Sequence, residues 1–151
     1  MRLKVAVCVS LYAGLAFGQT PPTATEAFNL RIKCKEMVTQ REQDMQEQRD
    51  RLGKLAPELI SSFSTSRYDP RANRCYGEFH YHENVRRAAL DREVRALYDM
   101  QVDDMLAFWK IENGKKNGMV FDHSHGITTD KNIGWDDAEA YINEMWIEDK
   151  K

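Results

Sequence analysis

The sequence predicts an α+β fold: a long N-terminal helix, an antiparallel β-meander of about four strands, and a C-terminal amphipathic helix. Three observations support this prediction. The segment from residue 26 to residue 52 is rich in Gln, Glu, Arg, Lys and Met and contains neither Gly nor Pro, which is typical of a helix. The following segments alternate apolar and polar residues as strands do. Near the C-terminus, apolar residues return to helical spacing.

The first residues have the features of a secretory signal peptide, which we predict over 1–18. Arg2 and Lys4 precede an apolar run at residues 5–17, and small residues lead up to a cleavage point after Gly18. The run is too short to cross a bilayer, and no later segment is apolar enough to do so. We therefore predict an exported protein, periplasmic or secreted, with no transmembrane segment in the mature chain.

Charge limits the classes of partner, and length limits the number of domains. Loss of Arg2 and Lys4 with the signal leaves 20 basic and 24 acidic side chains, a net charge of −4. Basic and acidic residues are interleaved without a basic arm or face, so we expect no nucleic-acid partner. The mature chain of roughly 130 residues is long enough for one domain, predicted over 26–151 after a flexible lead at 19–25.

Two of the three cysteines remain after the signal is removed, and they predict a disulfide. Cys8 lies in the signal, whereas Cys34 and Cys75 would both reach an oxidising compartment. Two cysteines in such a compartment most often pair with each other. The alternative, two separate or reactive thiols, needs an activating environment that the sequence does not show. A Cys34–Cys75 bridge would tie the first helix to a strand.

The first helix has recognisable ends and one apolar stripe. Thr23 or Thr25 can cap its N-terminus, and Gly53 and Pro57 end it. Four apolar residues recur at every seventh position: Val38, Met45, Leu52 and Leu59. The adjacent row contains the apolar residues Ala27, Cys34 and Leu55 but also the polar residues Arg41 and Gln48, so we favour a surface helix over a coiled coil.

A first hairpin is predicted after this helix. Residues 60–68 form its first strand, an Asp-Pro turn spans 69–73, and residues 74–82 form its second strand. Alternation places three residues of the second strand on one face: Cys75, Phe79 and Tyr81. The charged segment at 83–90 is compatible with a helical turn or a connecting loop.

A second hairpin is predicted from residues 93–101 and 104–112. Apolar residues alternate in both segments: Val94, Ala96, Tyr98 and Met100 in the first, and Met105, Ala107, Trp109 and Ile111 in the second. A helix over 91–110 is a serious competitor. Asn113-Gly114 and Asn117-Gly118 predict tight turns, and residues 119–121 predict a short fifth strand. Residues 123–132 have the composition of a loop. The last helix has one apolar face, formed by Trp135, Ala138, Ile142, Met145 and Trp146.

The segment from Arg67 to Tyr76, Arg-Tyr-Asp-Pro-Arg-Ala-Asn-Arg-Cys-Tyr, resembles a motif of uncharacterised secreted bacterial proteins. In that motif a Tyr-Asn/Asp-Pro turn precedes Asn, a basic residue, Cys and an aromatic residue. A later Leu-Tyr-Asp segment, here 97–99, precedes a hairpin, here containing 105–107. The resemblance covers residues 59–109 and supports strands over a helix for the second hairpin. It implies no activity, and Arg67 stands where His is frequent.

The four histidines form two His-x-His pairs, His80/His82 and His123/His125. On a strand, residues two apart share a face, so His80 and His82 could bind one metal ion together with Glu78. The second pair could complete a zinc or copper site if its loop folds back over the strand. The alternative is that the first pair lies on a strand surface and the second in a polar loop.

The sequence contains none of the nucleophile, phosphate-loop, dinucleotide or His-Glu-x-x-His motifs. We therefore predict an exported, non-enzymatic binding or envelope-associated module, with an unknown protein or glycan partner. Uncovered aromatic residues on a sheet face would form the binding surface. The alternative is a metal-binding protein or metal-dependent hydrolase that uses the paired histidines. Apart from that possible zinc or copper, no cofactor is expected.

Overall fold

The computed structural model describes residues 22–85, 89–122, 129–131 and 134–147. Helix α1 (Ala24–Leu52) is followed by a short 3-10 helix (Gly53–Leu55), an antiparallel sheet and helix α2 (Trp135–Glu144). The strands, in chain order and in spatial order, are β1 (Glu58–Asp69), β2 (Arg74–Val85), β3 (Leu90–Asp99), β4 (Asp104–Glu112), β5 (Lys115–Asp122) and β6 (Thr129–Lys131). The helix–meander–helix prediction is confirmed. The expected number of about four strands is too low, because the described residues form five long strands and a three-residue sixth.

Helix α1 begins with a reciprocal cap and ends at a glycine. Thr23 Oγ1 accepts a hydrogen bond from the Glu26 backbone N–H at 3.3 Å, and Glu26 Oε2 accepts one from the Thr23 N–H at 2.8 Å. Gly53, with φ 51°, ends the helix as expected. The helix starts at Ala24, and its cap is Thr23, one of the two expected candidates. Residues 1–18, the expected signal peptide, lie outside the described residues.

The second hairpin is a strand pair, so the competing helix over 91–110 is wrong. β3 and β4 form an antiparallel ladder with each other, with one register shift between Leu97 and Tyr98. Asn113 and Gly114 both have positive φ, 47° and 78°, and form the expected tight turn into β5. At the two ends of the charged segment at 83–90, β2 continues to Val85 and β3 begins at Leu90, whereas residues 86–88 lie outside the described residues.

The second Asn-Gly pair is not a turn, because Gly118 lies inside β5. A Cβ atom at Gly118 would lie 2.8 Å from the Trp135 Cα atom and 2.9 Å from the Ala138 Cβ atom. Gly118 therefore permits the close approach of α2 to the sheet. The Asn-Gly sequence here reflects this packing and not a turn.

The sheet is the middle layer between the two helices. Helix α1 packs on β1 and β2, and helix α2 packs on β4 and β5. Alternation along β2 directs Cys75 and Phe79 toward α1, and we call this side the α1 face. Tyr76 and the other even-numbered residues of β2 point to the opposite side, the α2 face. Each helix thus covers only part of its own face.

The Cys34–Cys75 disulfide is confirmed. The two Cα atoms are 5.4 Å apart, and the bridge joins α1 to β2. Both cysteines are almost completely buried in the core on the α1 face. The other buried members of this core are Val38, Tyr68, Phe79 and Met100.

Candidate functional site

Helix α1 leaves an apolar groove between itself and β4. The groove has a volume of about 220 Å³. Its floor includes three buried side chains, Phe79, Val94 and Ala96. The other lining residues are Met45, Tyr81, Arg92, Tyr98, Met105, Phe108 and Lys110. The composition is that of a small-molecule site: mostly apolar and aromatic surface with a few polar groups.

The register of β2, β3 and β4 orders the groove residues in four rows across the sheet. From one end to the other, the rows are Glu83–Arg92–Glu112, Tyr81–Val94–Lys110, Phe79–Ala96–Phe108 and Gly77–Tyr98–Met105. The first row is charged, the middle rows are largely apolar, and the last row ends on Tyr98 and Met105. The groove therefore runs from a charged end to an aromatic end.

A register shift between Leu97 and Tyr98 determines which residues of β4 enter the groove. Because of this bulge, Met105 faces the groove, whereas the next residue, Leu106, packs into the core on the α2 face. Simple alternation of Met105, Ala107 and Trp109 on one face, as expected from the sequence, is therefore wrong at Met105.

The charged end is built around a buried carboxylate. Glu83 is 2% exposed. Arg49 Nη1 donates to Glu83 Oε2 at 3.0 Å, and Arg92 Nε donates to Glu83 Oε1 at 2.6 Å. The Arg49 guanidinium also lies 5.3 Å from the centre of the Tyr81 ring. Because the Glu83 carboxylate has two arginine partners, its burial is compensated and this end of the groove is rigidly organised.

Lys110 brings a further cation to this end. Its Nζ atom lies 2.9 Å from Glu112 Oε2, and the Lys110 side chain is 33% exposed. Arg92 Nη1 lies 3.8 Å from the other oxygen of Glu112. In the described part of the chain, the charged end therefore gathers three cations (Arg49, Arg92, Lys110) and two carboxylates, an excess of one positive charge.

The aromatic end is closed by Arg41. Its guanidinium lies 4.0 Å from the centre of the Tyr98 ring and also forms an ion pair with Asp103 in the β3–β4 turn. Phe79 and Tyr98 contact each other edge to face, with ring centres 5.7 Å apart. Arg41, Met45 and Arg49 are each one helical turn apart on α1. Met45 lines the groove, and the two arginines contact the rings of Tyr98 and Tyr81 at its two ends.

The pKa of Tyr81 is raised, first by burial and then by the nearby Glu83 carboxylate. The phenol therefore stays neutral at pH 7, and its hydroxyl can donate or accept a hydrogen bond at the edge of the groove.

Of the histidines expected to bind metal, His80 and His82 are on the α2 face, away from the groove. His80 Nε2 lies 2.8 Å from Glu93 Oε1, and His82 Nε2 lies 2.6 Å from Asp91 Oδ1. Each imidazole thus has a carboxylate partner across the β2–β3 pair. Glu78, the expected neighbouring ligand, is buried and bound to Arg95 at 2.6 Å.

His123 and His125 lie outside the described residues, so the four-histidine site stays a prediction. Within the described residues, no group of three or more His, Cys, Asp or Glu side chains is placed to hold a metal ion.

The aromatic residues divide between core and groove. Trp109 and Trp135 belong to the core on the α2 face, with ring centres 5.5 Å apart. Tyr81, Tyr98 and Phe108 line the groove instead. This division depends on which helix covers which part of the sheet, so composition could not predict it.

A second cleft lies between α1 and the β1–β2 turn. Its lining includes four basic residues, Arg31, Lys35, Arg67 and Arg71, and one acidic residue, Asp69. The Arg67 guanidinium itself donates to the backbone carbonyl of Met145, next to α2. The expectation of no basic face is therefore wrong at this cleft, because the fold brings together basic residues that are interleaved with acidic residues in the sequence. The expectation of no nucleic-acid partner stays a prediction.

Comparison of the chain with protein-family models, curated proteins and solved structures found no match. In the part of the chain that the structure describes, no helix is both long enough and apolar enough to cross a membrane.

Proposed function

We propose that this protein is an exported, non-enzymatic binding module that holds the apolar part of a small ligand in the groove between α1 and β4. The observation that carries the proposal is the apolar floor of Phe79, Val94 and Ala96 beside the helix. Export is supported by the buried disulfide, since such bonds persist in oxidising compartments.

The size of the groove indicates the size of the bound group. An apolar cavity of about 150 Å³ holds benzene. The volume here is about 220 Å³ and therefore suits a somewhat larger body, such as a fused two-ring aromatic group. A small apolar group fits this shape better than the flat protein or glycan surface expected from the sequence.

The expected affinity follows from the buried area. A two-ring aromatic group buries roughly 150–250 Å², which contributes about 4–6 kcal/mol at 25 cal/mol per Å². The loss of translational and rotational freedom offsets much of this gain. If about half of the gain remains, the apolar contact alone supports a Kd on the order of 10 mM, which is weaker than millimolar.

The test is a titration with 2-naphthylmethanol, a neutral probe kept in solution by a constant proportion of dimethyl sulfoxide, followed by amide chemical shifts. We expect shifts that grow with probe concentration at the backbone amides of Met45, Val94, Ala96 and Phe108. The variant Met45→Trp fills the groove from the helix wall and should abolish these shifts. Leu52→Trp, on the exposed end of the same helix, is the matched control and should keep them. Shifts spread over amides outside the groove, or shifts that survive Met45→Trp, would contradict the proposal.

A further inference from the structure

We infer that the groove selects amphipathic anions: ligands with an apolar body and a carboxylate or similar anionic head held at Lys110. This inference rests on the proposed function, because it names the class of ligand for the same groove.

The position of Lys110 is the first step. Lys110 is opposite Val94 in the second row of the groove, next to the apolar floor and not on the outer rim. An ammonium group has three N–H donors, and Glu112 accepts one of them at 2.9 Å. The remaining donors are available beside the site where the apolar body of a ligand would lie.

The charge balance of the same end is the second step. The Glu83 carboxylate is enclosed by Arg49 and Arg92 and is 2% exposed, so it presents almost no charged surface to a ligand. Glu112 is the other carboxylate at this end, and it is shared between Lys110 and Arg92. The excess positive charge therefore lies on the partly exposed side chains of Lys110 and Arg92, where an anion complements it.

The opposite end offers no comparable attraction for an anion. Arg41 is stacked over Tyr98 and paired with Asp103, so its charge is balanced there. A ligand with one anionic head should therefore bind in one orientation, with the head at Lys110 and the apolar body over Val94 and Ala96.

The experiment compares three probes with the same ring system: 2-naphthoate, 2-naphthylmethanol and 2-naphthylmethylammonium. We expect the anion to bind about five- to tenfold more tightly than the alcohol, because a charge-assisted contact to a one-third exposed lysine is partly screened. The ammonium probe should bind more weakly than the alcohol. Added salt should reduce the difference between anion and alcohol.

The variant Lys110→Met keeps the length of the side chain and removes its charge. It should bring the ratio of the naphthoate and alcohol Kd values close to one, whereas Lys110→Arg should preserve the preference for the anion. Lys33→Met removes the same charge from the exposed surface of α1 and should leave the ratio unchanged. Well-dispersed amide spectra establish that each variant is folded.

The outcomes separate this inference from the proposed function. If the alcohol binds in the groove but the anion has no advantage, or keeps it in Lys110→Met, the anion selectivity is overturned and the groove function stands. If none of the three probes binds, both proposals are wrong.

Discussion

Removal of the Cys34–Cys75 bridge should cost this protein much of its stability. The cysteines are 41 residues apart. For a loop of that length, the chain-entropy relation gives a loss of about 13 cal/mol/K in the unfolded chain, or about 4 kcal/mol at room temperature. Since small domains have a total stability of about 5–15 kcal/mol, we expect the reduced protein to be only marginally folded at 37 °C.

The assay is urea unfolding of the oxidised protein, the reduced protein and the double variant Cys34→Ala/Cys75→Ala, followed by tryptophan fluorescence. The reduced protein keeps both sulfur atoms, so its difference from the oxidised protein measures the cross-link. The double variant also loses buried sulfur packing and should be less stable than the reduced protein. For the reduced protein, we expect the free energy of unfolding in urea to be lower by about 4 kcal/mol. In a thermal scan, its melting temperature should be lower by about 12–16 °C.

The reasoning is refuted if the oxidised and reduced proteins differ by less than about 1 kcal/mol, since the loop-closure argument then fails for this chain. A smaller loss of stability in the reduced protein than in the double variant supports the reasoning. Because the bridge also anchors α1 beside the sheet, reduction should weaken probe binding in the groove together with the fold.

Two further predictions concern packing and pH. Gly118→Ala should destabilise the fold by about 1–3 kcal/mol, because the added Cβ atom would meet the backbone of α2 at Trp135. Urea unfolding of this variant and of the control Asn117→Ala tests the prediction. Equal stability of the two variants would contradict it. The raised pKa of Tyr81 means that the folded state holds the phenol proton more tightly than the unfolded chain, so stability should fall as the pH rises above 10.0. Tyr81→Phe should lose less stability over that range, and an equal loss would show that Tyr81 is not responsible.

Local signals in the sequence predicted most of the elements. Three predicted features depend on contacts between near neighbours and are observed: the cap at Thr23, one of two candidates, the end of α1 at Gly53 and the turn at Asn113-Gly114. The errors arose where distant packing uses the same residues as local structure. Gly118 resembles a turn residue, but it is a glycine because α2 approaches the sheet there.

The groove could not be predicted in the same way, because none of its features is local. Alternation correctly placed Val94, Ala96 and Tyr98 on one face of a strand. It did not indicate that α1 would cover β1 and β2 and leave β3 and β4 open beside it.

The sequence by itself thus determined the fold class, the antiparallel order of the strands and the pairing of Cys34 with Cys75. These follow from the hydrophobic periodicity, the turn residues and the number of cysteines, all of which can be read directly from the sequence. Only the tertiary structure decided that Glu83 is buried between Arg49 and Arg92 and that Lys110 stands beside an apolar floor. Both arrangements depend on where α1 lies across the sheet, which is decided by packing between residues far apart in the chain.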